Sequence, residues 1–179
     1  MIKAIFRDKD RCVKCFACIV ACNVKHNFPP HPVCPPEAEP EDNNIITINH
    51  YGPYIRDEQV FQFFLPMSCM HCADAPCIKA CPRSAIYKDC EYGVVLVNRD
   101  RCIGCKFCFW VCPFGIPRYD NEGKLVLCDM CIDRLKEGKK TACETACVAG
   151  AITTGTPKEI AQVQQQKVIW KIAKMEIGI

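Results

Sequence analysis

The run RCIGCKFCFWVCPFG, residues 101–115, carries Cys102, Cys105, Cys108 and Cys112 within eleven positions. Three more groups share this crowding: Cys12, Cys15, Cys18 and Cys22; Cys69, Cys72, Cys77 and Cys81; Cys128, Cys131, Cys143 and Cys147. Together they hold sixteen of the eighteen cysteines in 179 residues. Leucine is scarce by contrast, found only at 65, 96, 125, 127 and 135. A core built on leucine is thin, so whatever the thiols bind is expected to organise the interior.

Cysteine at about a tenth of the chain suits either a secreted disulfide scaffold or a metal-binding protein. The first residues, MIKAIFRDKDRC, have neither the apolar stretch nor the small-residue cleavage site of an export signal. No apolar run approaches the length of a membrane-spanning helix. These features predict a cytoplasmic chain without direct membrane insertion, in which reduced thiols serve metal or redox chemistry. The mild formal charge of +3 and the lack of a Lys/Arg block give no reason to expect nucleic acid.

The first and third groups have the spacing C-x2-C-x2-C-x3-C, the bacterial ferredoxin run whose fourth cysteine serves the other cluster of a pair. A tight loop of this kind can wrap three corners of an iron–sulfur cube. The fourth thiol, three residues on, points away toward a neighbouring cube. The second and fourth groups lengthen the middle gap to four and eleven residues and keep x3 before the last cysteine. Pro82 and Pro113 follow Cys81 and Cys112 and fix the chain direction there. Zinc is the rival, since paired C-x2-C units close four-thiolate sites. The crowded third cysteine of groups one and three favours iron–sulfur, and a local zinc at group four stays open.

The chain also repeats. AIFRDKDRCVKCFACIVAC and VLVNRDRCIGCKFCFWVC align at an offset of ninety residues. Candidate strands lie at 2–6, 45–51, 60–65, 85–88, 94–97 and 124–127, and AIYKDCEYGVVLV reads as a hairpin turning near Glu91–Gly93. ACETACVAGAITTG predicts a short helix before a short strand. Residues 29–40 hold six prolines and read as a loop. Residues 157–175, opening on Pro157 and carrying Ile160, Val163, Val168, Ile172 and Met175, read as a helix.

CMHCADAPCIKACP, RCIGCKFCFWVCPFGIPRY and LCDMCIDRLKEGKKTAC resemble the iron–sulfur electron-transfer subunits of the dimethyl sulfoxide reductase type, over about residues 3–153. That group takes in small subunits of nitrate, formate and polysulfide enzymes and the iron–sulfur protein of carbon monoxide dehydrogenase. The chain is also similar to small subunits of tungsten aldehyde oxidoreductase and benzoyl-CoA reductase systems.

The resemblance implies an α+β fold of two pseudo-symmetric bacterial 2×4Fe–4S ferredoxin-like modules with short hairpins and helices. Module one would span about 1–28 and 119–154, module two about 67–118, with a loop-rich insert at about 29–66 and a C-terminal tail at about 155–179. It implies four 4Fe–4S clusters with crossed fourth ligands. One would take Cys12, Cys15, Cys18 and Cys147. A second would take Cys128, Cys131, Cys143 and Cys22. A third would take Cys69, Cys72, Cys77 and Cys112, and the last Cys102, Cys105, Cys108 and Cys81. The prolines usual in group four are missing: Thr141 and Ala142 precede Cys143 and Val148 follows Cys147, while Asn23 follows Cys22.

Other residues carry less. Cys34 and Cys90, outside the groups, read as free thiols. His71 could donate to cluster sulfur or be an ordinary loop histidine. Phe107, Phe109, Trp110 and Phe114 are expected to shield a cluster from water, and Lys14, Lys106 and Arg118 to be solvated surface charge. Each oxidised cluster with its thiolates contributes about −2, which would take the formal +3 to about −5. With no phosphate loop or acid–base set in view, the expected function is one-electron relay, not catalysis. The expected partner is a catalytic oxidoreductase subunit holding tungsten, molybdenum or nickel, with a further redox subunit or ferredoxin beyond it. A free polyferredoxin is the alternative, and a zinc-based interaction module the reading of another class.

Overall fold

A computed structural model describes residues 2–28 and 44–177. Apart from one long hairpin and the C-terminal helix, it is built mostly of short elements. In order these are β1 (Ala4–Arg7), α1 (Ala17–Lys25), β2 (Thr47–Arg56), β3 (Gln59–Met67), α2 (Pro76–Lys79), β4 (Ile86–Lys88) and β5 (Val95–Val97). There follow α3 (Phe107–Trp110), β6 (Arg118–Tyr119), β7 (Leu125–Val126), α4 (Ile132–Lys136), α5 (Ala142–Ala146), β8 (Ile152–Gly155) and α6 (Pro157–Ile177). The content is α+β, as expected.

All sheets are two-stranded and antiparallel. β1, which leads into the first cysteine group, pairs with β8, which leaves the fourth, from Ala4↔Gly155 to Arg7↔Ile152. β5, which leads into the third group, pairs with β4, which leaves the second, from Ile86↔Val97 to Lys88↔Val95. The turn between β4 and β5 closes where the sequence placed it, with Gly93 N–H on Asp89 C=O and Asp89 N–H on Val94 C=O. β6 and β7 form a further small hairpin.

The insert is less rich in loop than expected. Its proline-rich part lies outside the described residues; the strands expected at 45–51 and 60–65 are extended into one long hairpin, β2–β3, over 47–67. Alternation was visible only at 45–51 and 60–65. Gly52–Pro53 interrupts it, and there the register shifts between Tyr51 and Tyr54.

The core is shared between small apolar residues and thiols. Ile45, Ile86, Val95, Tyr119, Leu125, Val126 and Ile152 pack in one cluster with Cys18, Cys22, Cys69, Cys108, Cys128 and Cys143. Interior organisation thus runs through the cysteine sites. Helix α6 starts with a capping box: Thr156 Oγ accepts from Glu159 N–H at 3.3 Å, and Glu159 Oε2 accepts from Thr156 N–H at 2.6 Å. None of its residues is buried. It is tethered by Lys167 to Asp8 and Asp10, by Lys171 to Asp10 and by Lys3 to Glu159.

Candidate metal centres

Each cysteine group begins with the same backbone device. The residue just before its second cysteine is left-handed: Lys14 (φ 55°), His71 (φ 47°), Gly104 (φ 69°) and Met130 (φ 53°). Groups one and three repeat it after that cysteine, at Phe16 and Lys106 (both φ 61°). Alternating right- and left-handed residues make a concave nest of N–H groups, a setting that binds anions and iron–sulfur clusters. Phe16 and Lys106 are also the N-caps of α1 and α3. α1 then sets Cys18 and Cys22 four residues apart, on one face and about 6 Å along the axis. That advance lets Cys22 reach past the site its own loop surrounds.

The thiols come together in crossed sets. Cys102, Cys105 and Cys108 line a hollow with Cys81, of about 340 Å³ including its mouth. Cys69, Cys72 and Cys77 line another with Cys112, of about 380 Å³. Cys12, Cys15 and Cys18 line a third with Cys147, of about 310 Å³. Cys22 faces Cys128, Cys143 and Cys131, whose charges add to burial in pushing its thiol far up. Among the described residues no three His, Cys, Asp or Glu side chains converge closely enough for a single metal ion.

Burial also pushes up the thiols of Cys18, Cys69 and Cys128, each to about 12, and those of Cys77 and Cys131 to about 11. Buried thiols so close together become thiolates only when a cation shares the site. Backbone donors are already aimed at the sulfurs: His71 N–H to Cys69 and Met130 N–H to Cys128 at 3.4 Å, Ala85 N–H to Cys81 at 3.2 Å, Ala151 N–H to Cys147 at 3.1 Å. At Cys81, burial pushes upward, but the N–H groups of Ala85, Arg83 and Ile86 outweigh it and hold the thiol below its ordinary value. Thiol rings around hollows, inside N–H nests, fit an anionic 4Fe–4S cube.

Residues 60–157 match the family described as the 4Fe-4S dicluster domain. The chain is 36% identical over 163 residues to the B subunit of the anaerobic dimethyl sulfoxide reductase of Escherichia coli K12, covering 87% of this chain and 74% of that subunit. It is 34% identical over 180 residues to the thiosulfate reductase electron transfer subunit PhsB of Salmonella typhi, covering 97% and 87%. The chain belongs to the iron–sulfur electron-transfer subunits of the dimethyl sulfoxide reductase type. A third relative, the hydrogenase-2 operon protein HybA of Escherichia coli O157:H7, is 32% identical over 183 residues, and the chain spans only 55% of its length. This membership bears out an electron-transfer component and not an enzyme in its own right. No described helix is long and apolar enough to cross a membrane.

Several residues of this iron–sulfur subunit depart from the sequence reading. Arg118 is buried, not solvated: its Nη1 donates to the carbonyls of Gly115 (2.7 Å), Pro117 (3.0 Å) and Ile116 (3.2 Å) and ties the end of group three. Lys106 lies over the Tyr119 ring at 5.4 Å, and Lys14 over Phe64 at 5.6 Å and Phe16 at 5.9 Å, so neither is simply solvated. Trp110 is 79% exposed and Phe107 55%, so they do not shield a cluster as expected, whereas Phe114 lines the Cys112 hollow. Their short helix, α3, turns those two rings outward. His71 is buried, accepts from Val95 N–H through Nδ1 at 3.0 Å, and so carries its proton on Nε2. Burial lowers its pKa to about 4. Its Nε2 has no partner among the described residues, a donor left for an acceptor such as cluster sulfur. Cys90 is an exposed free thiol, and Cys34 lies outside the described residues.

Three contacts had no signal in the sequence. Tyr119 Oη lies 3.2 Å from Cys108 Sγ, and Thr141 Oγ 3.4 Å from Cys143 Sγ. Arg7 reaches from β1 to Ser68 and Met70, on either side of Cys69.

Proposed function

We propose that this chain relays single electrons through four 4Fe–4S clusters, held by the four crossed cysteine sets, between a molybdenum, tungsten or nickel catalytic subunit and a redox carrier or second enzyme. The ligands are Cys12, Cys15, Cys18 and Cys147; Cys128, Cys131, Cys143 and Cys22; Cys69, Cys72, Cys77 and Cys112; Cys102, Cys105, Cys108 and Cys81. The modules are those implied by the family resemblance, about 1–28 with 119–154 and about 67–118, each with its hairpin, β1–β8 or β5–β4.

One observation carries the reading: the crossed thiol sets close around separate hollows, and thiols of neighbouring sets lie close enough to act on one another's ionisation, linking the sets in a line. Cys143 raises Cys18, Cys69 raises Cys128, and Cys108 raises Cys77. The order is the Cys12 set, the Cys128 set, the Cys69 set and the Cys102 set, which is a wire and not a cage. Membership of the family and the partners named in its relatives support the assignment to an oxidoreductase complex.

A permanent subunit is favoured over a diffusing polyferredoxin by the apolar side chains exposed at both ends of the line. Val13, Val20, Val24 and Val148 flank the first set, and Ile103, Phe107 and Trp110 the last. The proposed location is the cytoplasm, where thiols stay reduced and available as ligands. Anaerobic reductive titration tests the relay: about four electrons per chain are expected, one per cluster. Uptake of about two would contradict it.

A further inference from the structure

Arg7 is the last residue of β1, opposite Ile152 of β8, and five positions ahead of Cys12. Its guanidinium does not stay with its own hairpin. Nη2 donates to Ser68 Oγ and Nη1 to Met70 Sδ at 3.5 Å, so the fork closes on the two neighbours of Cys69. Ser68 is itself buried, which fixes one end of the clasp. The strand that leads into the first cysteine group therefore grips the loop of the second. No carboxylate pairs with Arg7 among the described residues.

A half-buried cation is stabilised by nearby negative charge. Burial pulls the pKa of Arg7 below the ordinary arginine value, while Cys128, Cys143, Cys69 and Cys18 pull it back up. Those cysteines belong to three sets that adjoin in the line. The Cys102 set is not among them.

We propose that Arg7 is a positioning residue for the transfer between the Cys128 set and the Cys69 set, clasping the Cys69 loop to the strand that enters the first cysteine group and raising the potential of the Cys69 cluster with a fixed positive charge. The proposal rests on the four-cluster reading above. In the step itself one electron leaves the reduced cluster of one set and enters the oxidised cluster of the other. Arg7 exchanges neither electron nor proton. Its charge favours the reduced, more negative state of the Cys69 cluster.

The test is an anaerobic redox titration followed by electron paramagnetic resonance, with signals assigned through a Cys→Ser variant of each set. In Arg7→Met the reduction equilibrium constant is expected to fall at least tenfold, 59 mV for one electron, at the Cys69 set, and to stay unmoved at the Cys102 set. Ser68→Ala removes half of the clasp and none of the charge, so its potentials are expected to stay within threefold of wild type. Fully loaded Arg7→Met with unmoved potentials, or with equal shifts at every cluster, overturns the proposal. If Arg7→Met assembles fewer clusters, Arg7→Lys decides: potentials within threefold of wild type support the charge, and a tenfold fall overturns it. Failure of the four-cluster reading is seen separately, as a wild-type iron count near eight.

Discussion

Glycine is needed at position 104 because a Cβ there would meet the carbonyl oxygen of Gly123 at 2.6 Å; the left-handed φ of +69° alone is one that Lys14, His71 and Met130 also adopt. Lys14 holds the equivalent place in group one at φ 55° and keeps its side chain clear over the Phe64 ring. Gly104→Ala is therefore expected to cost about 1–3 kcal/mol and to lower retention of iron at the Cys102 set, read by denaturant titration of the loaded protein. Unchanged stability would contradict the strained-loop account. Cys22→Ser is expected to remove the cluster of Cys128, Cys131 and Cys143 while that of Cys12, Cys15 and Cys18 persists. Loss at the Cys12 set alone, judged against Cys128→Ser, would refute the crossing. At this scale the cysteines were legible because spacing along the chain is what a loop around a cube requires. Arg7 was not, since its partner Ser68 lies 61 residues away and only the tertiary fold brings them together. Arg118 was misjudged for a related reason: a charged residue after a proline gives no sign that three carbonyls will surround it.

Among the elements, α6 poses the sharpest question. Twenty-one residues long, it buries none of them and leaves Ile169, Trp170, Ile172 and Met175 exposed. The apolar positions of the tail were readable, and Pro157 marked its first turn, but the Thr156/Glu159 box emerged only in the structure. Where the apolar side chains go was not, because burial depends on what covers them. Strand β7 falls within the strand expected at 124–127, whereas helix α4 and strand β6 escaped notice because elements of two to five residues show no periodicity. Truncation after Gly155 is expected to leave iron content unchanged and to abolish co-purification with the partner. Loss of clusters with partner binding retained would make the helix internal cladding. Lys167→Ala leaves the carboxylate of Asp8, a residue 5% exposed, without its cation, at a cost of about 1–3 kcal/mol. Faster proteolysis of α6 in this variant checks the tether, and an unchanged rate would show that other contacts hold the helix.

At the scale of the whole molecule, the core and the cofactor sites are one structure. Six of the buried cluster-forming positions are cysteines of the four groups, so removing metal removes the centre of the packing. Chelated, reduced chain is expected to lose its native circular dichroism, as small metallo-domains do; retention would mean that the short hairpins and helices hold themselves. The matched dicluster family spans 60–157 and stops short of Cys12, Cys15, Cys18 and Cys22. Group one therefore distinguishes a four-cluster wire from a two-cluster ferredoxin. Iron and acid-labile sulfide per chain, measured on protein prepared without oxygen, test this most directly. The account predicts about sixteen of each, four per cube; about eight of each, with zinc making up the difference, would contradict it.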